Sequence, residues 1–330
     1  MPRTQFATRY DFRVPDADAT TRQEVFARAV EQAAYVDTHG MDVLMVSEHH
    51  ASDDGYLPSP LLVASAFAAV TSRIPITISA LLVNLYEPVR LAEDIAVLDQ
   101  LSSGRVSYTI GLGYRPEEYA MLGCPWSSRG ADIEKVVEVL RLAWTGEPFS
   151  YEGRTVRVLP APYRAPVLFY GGGSKAAARR AARLGLHFQP QVADPSLKEL
   201  YQAECRAQGR EPGYVMLPPG GPATVFCSED PDRFWAENGQ YFLAEARGYN
   251  AWHNEVTSLV RDPSDTVEEM RARGVYVVLT PEDLIAKCLS KEIRVVSSHP
   301  LVGGLPEEPS FESMELICER VMPVVRASSD

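Results

Sequence analysis

Apolar positions along the chain follow two patterns that alternate from one end to the other: continuous runs, which are typical of strands, and helical spacing. Residues 43–47, VLMVS, form an uninterrupted apolar run, which is typical of a strand buried on both faces of a parallel sheet. Residues 21–38 instead bring Val25, Ala29 and Ala33 onto one side of a helix. Because strand and helix patterns alternate with no long all-helical block, the chain predicts an α/β fold with right-handed crossovers.

About eight strand–helix units recur along the chain, a number that suits a closed barrel. We therefore expect a single-domain (β/α)8 TIM-like barrel with insertions, and an open doubly wound sheet is the alternative. Strands are predicted at residues 1–9, 43–47, 76–83, 106–110, 167–170, 186–190, 223–227 and 293–297. Helices are predicted at residues 21–38, 60–71, 88–98, 133–144, 196–208, 232–247, 281–289 and 311–325, and in the Ala/Arg-rich stretch after Ser174.

Two stretches depart from this alternation and are interpreted as insertions. Residues 149–158, FSYEGRTVRV, have the pattern of a β-hairpin that turns at Glu152 and Gly153. Residues 248–274 are irregular, and their polar part from Trp252 onward predicts a loop or a short helix. Neither stretch brings a break in composition, so both are placed inside the one domain, residues 1–330.

Composition and charge exclude several classes of protein. Hydrophobic residues make up 45% of the 330 residues, which is too apolar for a disordered chain. The net charge of −12, from 44 acidic and 32 basic residues, argues against nucleic acid or an anionic membrane as a partner. No apolar run is long enough for a membrane span, and the N-terminal residues lack the apolar core of a signal peptide.

The five cysteines are scattered along the chain, and no C-x-x-C pair occurs among them. An odd and dispersed set of this kind predicts neither a disulfide scaffold nor a cysteine-rich zinc site. It is typical of a reducing compartment, so we expect a cytoplasmic protein.

Three titratable side chains, Glu48, His49 and His50, come directly after the predicted strand 43–47. In a barrel this position is the carboxyl-end mouth where active sites lie. The residues can supply a general base or a metal ligand; the alternative is a surface or capping cluster. A zinc site needs a third spaced ligand, and no H-E-x-x-H motif occurs, so we expect no metal.

A run of three glycines, Gly171, Gly172 and Gly173, precedes Ser174 between a predicted strand and a predicted helix. Glycines let the backbone approach a ligand closely, and the helix N-terminus offers N–H groups and the positive end of a dipole. The segment therefore predicts a phosphate cradle; the alternative is a tight turn in which Ser174 caps the helix. It is not a Walker loop, because the G-K-[ST] ending is missing.

Two further segments follow or end predicted strands. Gly111 and Gly113 lack the third glycine of a dinucleotide fingerprint, so they indicate a bend at a strand end, where Tyr114 and Arg115 can touch a ligand. Small residues in the segment 79–80 let a planar group lie against the strand, although tight packing is the plain alternative.

Four segments in this order resemble the bacterial luciferase-like family of flavin-dependent oxidoreductases, and the resemblance extends from about residue 6 to residue 326. They are VLMVSEHH at 43–50, ITISALLVNLYEPVRLAEDIAVLDQLSSGRVSYTIGLGYRPEEY at 76–119, VLFYGGGSKAAARRAARLG at 167–185 and HPLVGGLPEEPSFESMELICERVMPVVR at 299–326.

The resemblance implies a (β/α)8 barrel, often dimeric, that binds reduced flavin at its mouth. It implies that His49, with Glu48 and His50 adjacent, assists flavin–oxygen chemistry. The family's non-proline cis peptide falls on Ser79 and Ala80. Its phosphate loop falls on Gly171, Gly172, Gly173 and Ser174, and the bend at Gly111 and Gly113 is placed beside the cofactor.

This chain departs from luciferase after the fourth predicted strand. The arginine that helps to hold the flavin phosphate in luciferase is matched by Leu112, and Arg115 is the available substitute. The luciferase cysteine nearby is matched by Gly111. The pocket therefore differs in detail, and light emission does not follow from the resemblance.

The implied function is that of a flavin-dependent monooxygenase. Reduced FMN reacts with O2 to form a C4a-peroxyflavin, which oxygenates a small organic substrate that the sequence does not identify. Because no NAD-binding fingerprint occurs, a separate flavin reductase is expected to supply reduced FMN. The alternatives are an F420-dependent hydride-transfer oxidoreductase of the same fold, a non-catalytic flavin-binding protein, and a non-flavin phosphate-binding barrel such as a lyase. A homodimer is expected.

Overall fold

The computed structural model describes residues 3–252 and 261–328. The chain divides into two compact units. Unit 1 consists of Met1–Met45, Ser52–Leu57 and Pro219–Asp330, and unit 2 consists of Val46–Ala51 and Pro58–Pro218. The single-domain organisation stays a prediction.

The strands are β1 (Gln5–Tyr10), β2 (Val43–Val46), β3 (Ile76–Leu81), β4 (Val106–Ile110), β5 (Phe149–Tyr151), β6 (Arg154–Val156), β7 (Val167–Gly171), β8 (His187–Gln189), β9 (Thr224–Cys227), β10 (Tyr276–Leu279) and β11 (Val295–Ser298). The α-helices are α1 (Ala19–Thr38), α2 (Pro60–Val70), α3 (Pro88–Ser102), α4 (Pro116–Met121), α5 (Arg129–Ala143), α6 (Lys175–Leu184), α7 (Pro195–Ala207), α8 (Pro231–Trp252), α9 (Val267–Arg273), α10 (Pro281–Leu289), α11 (Glu307–Glu315) and α12 (Met322–Ala327).

Unit 2 is built on four parallel strands in the order β3-β4-β7-β8. Tyr108 of the central strand β4 pairs with Ile78 on one side and Leu168 on the other, and all three side chains are buried. The register between β3 and β4 shifts between Ser79 and Leu81, as in a β-bulge. Because these strands are parallel, their carboxyl ends lie along one edge of the sheet.

Unit 1 contains strands in the order β11-β1-β2 and a second parallel pair, β9 with β10. Its core is aromatic, because Phe226 of β9 stacks on Phe242 of α8, which in turn stacks on Tyr276 of β10. All three side chains are buried. None of the described helices of either unit has both the length and the apolar character needed to cross a membrane.

The predicted α/β fold with parallel strands and intervening helices is confirmed. The closed (β/α)8 barrel stays a prediction, because the strand pairings of the described residues do not show closure. The pattern missed β10, although Gly274 and the apolar run 275–279 mark a turn followed by a strand. It also missed α4, a helix too short for a hydrophobic period to show.

Several predicted boundaries move in the structure. β3 ends at Leu81 rather than at residue 83, because a 3-10 turn over Val83–Leu85 follows it. The closing helix begins at Glu307 and changes to a π-helical turn over Leu316–Val321.

The two predicted insertions differ in outcome. Residues 149–158 contain the antiparallel hairpin of β5 and β6. In 248–274, α8 continues to Trp252, five residues beyond its predicted end, and α9 supplies the short helix; residues 253–260 lie outside the described part of the chain. Aromatic packing stabilises the additional turn of α8, since Tyr249 and Trp252 pack against each other and against Tyr56.

Candidate active site

The site residues predicted from the sequence lie at the carboxyl ends of successive strands, all within unit 2. Glu48, His49 and His50 follow β2, and Ser79 and Ala80 lie just before the last residue of strand β3. Segment 111–115 follows β4, and segment 171–174 ends β7 and begins α6. This edge of a parallel sheet is where α/β enzymes carry out their chemistry.

The His49 imidazole lies between a carboxylate and a phenol. Its Nδ1 is 2.8 Å from Oε1 of Glu118, and its Nε2 is 2.8 Å from the hydroxyl of Tyr114. An ionised carboxylate only accepts hydrogen bonds, so Nδ1 carries the proton and donates to Glu118. Nε2 of the neutral ring then accepts from the Tyr114 hydroxyl. This assignment follows from the hydrogen-bond network.

Glu118 is fully buried and gathers three donors on Oε1. Besides His49, the backbone N–H of His50 donates to it at 2.9 Å and Nη1 of Arg115 at 3.2 Å. Burial alone would raise the pKa of Glu118, but the bonds from His49 and His50 and the charge of Arg115 outweigh it and hold the pKa below its usual value. Oε2 is buried without a hydrogen-bond partner in the described residues, and lies 3.7 Å from where a Cβ on Gly113 would stand.

A second carboxylate–imidazole pair lies beside the first. Oε1 of Glu48 accepts from Nε2 of His50 at 2.9 Å and from the hydroxyl of Tyr86 at 2.8 Å. Oε2 of Glu48 accepts from the backbone N–H of Leu82 at 2.7 Å. Glu48 is buried and bonded on both oxygens, so it ties the end of β2 to the segment that follows β3.

Arg115 holds the histidine segment in place. Its Nη1 donates to the carbonyl of His50 at 2.6 Å as well as to Glu118. The sequence offered Arg115 as a substitute for the luciferase arginine that contacts flavin phosphate. The structure instead directs the guanidinium to the backbone after β2, and its side chain is buried.

Sequence reasoning missed Glu118 and Tyr86, and it treated Tyr114 only as a possible ligand contact. Glu118 lies on α4, whose start carries a recognisable signal, because Pro116 occupies the first helical turn with two acidic residues behind it. That signal marks a helix start but does not say which partner the carboxylate meets.

The peptide bond between Ser79 and Ala80 is cis, as the resemblance implies. Gly111 comes close to this bond, because a Cβ added to Gly111 would stand 3.1 Å from the Cβ of Ala80. Gly113 has a φ of +68°, which favours glycine. The backbone of Gly111 is therefore closely packed against Ala80, and the Leu82 side chain lies 3.5 Å from where a Cβ on Gly113 would stand.

The glycine loop leads from β7 into the N-terminus of α6. Ser174 is the N-cap and accepts from the backbone N–H of Ala177 at 3.1 Å, as the capping alternative predicts. The other first-turn N–H groups of a helix have no intrahelical acceptor and can bind an anion. Gly172 has a φ of +142°, and a Cβ there would stand 2.9 Å from the Cβ of Ala177. The loop thus requires glycine at 172 and fits a phosphate group.

Unit 1 holds a separate buried cluster of Asp11, Glu245 and His299, whose ligand atoms lie within 4.8 Å of one another. Nδ1 of His299 is 3.1 Å from Glu245, whereas Nε2 is 3.2 Å from Asp11. A metal ion binds only one imidazole nitrogen, so this arrangement suits an imidazolium between two carboxylates. Arg9 lies 2.9 Å from Glu245 and already supplies a positive charge there.

The charges of this cluster balance in the interior. Burial and Arg9 would lower the pKa of His299, but Asp11 and Glu245 outweigh them and raise it. Burial would raise the pKa of Glu245, whereas Arg9 and His299 hold it well below its usual range. Two cations and two anions, with a hydrogen bond of 2.7 Å from Tyr276 to Glu245, form one network.

We predict that this cluster needs no metal ion to stay folded. Incubation with EDTA should leave the midpoint of thermal unfolding within about 1 °C of the untreated protein, because no metal–ligand bond is lost. Differential scanning fluorimetry with and without EDTA measures this. A drop of several degrees that added Zn2+ restores would show that the three side chains hold a metal.

Comparisons with known proteins relate this chain to one protein family. A family model for luciferase-like monooxygenases matches residues 9–290. A monooxygenase structure from Streptomyces bottropensis, RslO1, is similar over 97% of this chain and 99% of its own, with a TM-score of 0.75 and 23% identity.

Two further structures share the fold. The oxygenating constituent of 3,6-diketocamphane monooxygenase from Pseudomonas putida, a type II Baeyer–Villiger enzyme in complex with FMN, covers 98% of both chains at a TM-score of 0.70 and 21% identity. An F420-dependent secondary alcohol dehydrogenase covers 98% of this chain and 99% of its own at a TM-score of 0.66 and 18% identity.

Curated relatives match over shorter stretches. Proteins from Mycobacterium, themselves uncharacterised, are 32% identical over 148 residues, which is 39% of this chain and 52% of the relative. The chain thus spans about half the length of these relatives. Since the family model extends from residue 9 to residue 290, the chain belongs to the luciferase-like monooxygenase family.

Proposed function

We propose that this protein is a flavin-dependent monooxygenase, which uses reduced FMN and O2 to oxygenate a small organic substrate. The observation that carries the proposal is the buried chain Glu118–His49–Tyr114, held at the same sheet edge as the glycine loop before α6. One sheet edge thus offers both a phosphate cradle and an acid–base group.

The residues divide into those that would hold FMN and those that would serve its chemistry. Gly171, Gly172, Gly173 and Ser174 fit the phosphate, because they lead into a helix N-terminus. The closely packed backbone of Ser79, Ala80, Gly111 and Gly113 fits the flat ring. When bound, reduced flavin supplies the electrons that activate O2.

In this proposal, His49 moves protons at the reacting centre. Nε2 is its titrating atom, because Nδ1 is committed to Glu118, and the carboxylate stabilises the imidazolium that forms when Nε2 takes up a proton. Glu48 is a positioning residue, since both its oxygens are bonded to neighbouring parts of unit 2. His50 orients Glu48 and is the candidate for a substrate contact.

The second candidate function is that of an F420-dependent hydride-transfer oxidoreductase. The structural similarity to the F420-dependent alcohol dehydrogenase supports this alternative. The two are separated by the cofactor that the protein retains and by its reaction with O2. The purified protein is incubated with FMN or F420, desalted, and examined by absorption spectroscopy. After reduction, oxygen uptake that depends on the protein supports the monooxygenase. Retention of F420 alone without oxygen uptake supports the dehydrogenase, and retention of FMN without turnover indicates a flavin-binding protein.

The proposed partners follow from this chemistry. Small-molecule substrate and O2 are consumed, and a separate flavin reductase supplies the reduced FMN. A homodimer and a cytoplasmic location are part of the proposal.

Gly173→Asp tests the phosphate cradle. Gly172 is unsuitable because of its positive φ, whereas a Cβ on Gly173 meets nothing closer than Val192 at 3.5 Å. The carboxylate would repel the phosphate, so we expect FMN affinity to fall by about tenfold or more, equal to about 1.4 kcal/mol. Fluorescence quenching titrations with FMN and with riboflavin, which lacks the phosphate, measure the effect.

Gly173→Asn is the matched control, because it adds the same volume without the charge. It should retain most of the FMN affinity, and riboflavin should bind all three proteins alike. Equal losses of FMN and riboflavin affinity in Gly173→Asp would place the phosphate elsewhere.

A further inference from the structure

Tyr114 caps the one nitrogen through which His49 can exchange protons. Its hydroxyl lies 2.8 Å from Nε2, and the two rings meet edge to face with centroids 5.0 Å apart. The His49 residue as a whole is only 7% exposed. Neither the resemblance nor the family match assigns this phenol a role.

We propose that Tyr114 is a further catalytic residue of this site, and that its hydroxyl carries protons between His49 and the reacting atoms. The inference rests on the proposed function and adds a second group to its acid–base machinery. Loop 111–115 brings the phenol to His49 because Gly113, with its φ of +68°, lets the chain turn sharply after β4.

The hydrogen-bond directions allow this transfer without forming a tyrosinate. When the pair acts as a base, the Tyr114 oxygen accepts a proton from the reacting group while its own proton passes to Nε2. The bond between the proton and the reacting group and the original Tyr114 O–H bond break, a new Tyr114 O–H bond and an N–H bond at Nε2 form, and no electrons change hands. The imidazolium is then held by Glu118, and the reverse transfer makes the pair an acid.

The same geometry explains why the transfer needs no tyrosinate. The charge that builds up resides on the imidazole, and the phenol is neutral before and after the transfer. Glu118, Arg115 and the backbone of His50 lie beside the imidazole and are hydrogen-bonded to one another.

The test is Tyr114→Phe, which removes the hydroxyl and keeps the ring. Protein loaded with reduced FMN is mixed with O2 in a stopped-flow instrument, and the appearance of oxidised FMN is followed from about pH 5.5 to about pH 8.5. We expect the rate to fall by about tenfold or more and its pH inflection to shift, because the proton path to His49 is broken. FMN affinity should stay within about twofold, or about 0.4 kcal/mol.

Tyr119→Phe is the matched control. The Tyr119 hydroxyl donates to the carbonyl of Leu112 at 2.5 Å, so this variant removes a phenol on α4 that contacts loop 111–115 and has no bond to His49. Its rate and pH profile should follow the wild type. A proton inventory of the wild type in H2O–D2O mixtures gives a test that needs no variant, because the relay moves two protons and predicts a curved plot.

A Tyr114→Phe variant with the rate and pH profile of the wild type, or a linear proton inventory, would overturn the relay and leave the monooxygenase proposal standing. The relay and the monooxygenase proposal would both be overturned if the wild-type protein binds no FMN. They would also both be overturned if its bound reduced FMN reacts with O2 at the same rate as free reduced FMN. The two failures are therefore distinguishable in one experiment.

Discussion

His49→Ala should lower the protein-dependent oxidation of a bound substrate by about 100-fold or more, while FMN affinity stays within about twofold. The imidazole is the acid–base group of the proposed site, and alanine can neither take up nor release a proton. The fold should survive, because Glu118 keeps the N–H of His50 and the Arg115 guanidinium on the same oxygen. Until a substrate is found, the rate of oxidation of bound reduced FMN by O2 is the measured quantity.

His49→Asn is the matched control for this prediction. Its amide nitrogen stands at the position of Nδ1 and can donate to Glu118 as Nδ1 of His49 does, but the amide group does not titrate near neutral pH. The asparagine variant should therefore regain the stability of the wild type and remain as slow as the alanine variant. Added to His49→Ala, Tyr114→Phe should cause little further loss, since both changes interrupt one proton path.

Structural and chemical roles of His49 predict opposite results. If His49 only packs against Glu118, its removal lowers the unfolding midpoint and the turnover per folded molecule stays at the wild-type level. Thermal denaturation and flavin titration on the same samples separate the two. Full activity in His49→Ala would end its assignment as the acid–base group.

His299→Asn should lower the free energy of unfolding by about 3–5 kcal/mol, the usual cost of breaking a buried ion pair. The loss leaves Asp11 and Glu245 in the interior, where Arg9 still pairs with Glu245. Chemical denaturation of wild type and variant measures the difference. A value below about 1 kcal/mol would mean that the network contributes no more than a surface ion pair.

The pH dependence of that difference tests the charge of His299. The folded state raises the pKa of His299, so its contribution is fully present below the unfolded value, about 6.5, and is lost as the pH rises through the folded pKa. The difference in unfolding free energy between wild type and His299→Asn should therefore shrink toward alkaline pH.

His187 provides a control, because its pKa is shifted in the direction opposite to that of His299. Burial lowers the pKa of His187, and its Nδ1 accepts from the backbone N–H of Tyr214 at 3.1 Å. Its contribution is therefore lost as the pH falls, and the difference between wild type and His187→Asn should shrink toward acid pH. If the difference in unfolding free energy changed with pH in the same direction for both histidines, that result would contradict the proposed imidazolium at His299.

Hydrophobic spacing alone determined much of the fold of this protein. Continuous apolar runs located β2 and β7, and helical periodicity located α1 and α5, because both signals arise from residues that are near neighbours in sequence. The local candidates for chemistry were equally visible, since His49 directly follows a buried strand and three glycines directly precede a helix.

Only the tertiary structure decided what those residues meet. Glu118 lies 69 residues from His49 in the chain, and the pairing depends on the sharp turn after β4 and on a helix that is too short to predict. His299 meets Asp11 and Glu245 for the same kind of reason. A sequence records which side chains can carry charge and protons, whereas strand register and loop conformation decide which of them come within hydrogen-bond distance.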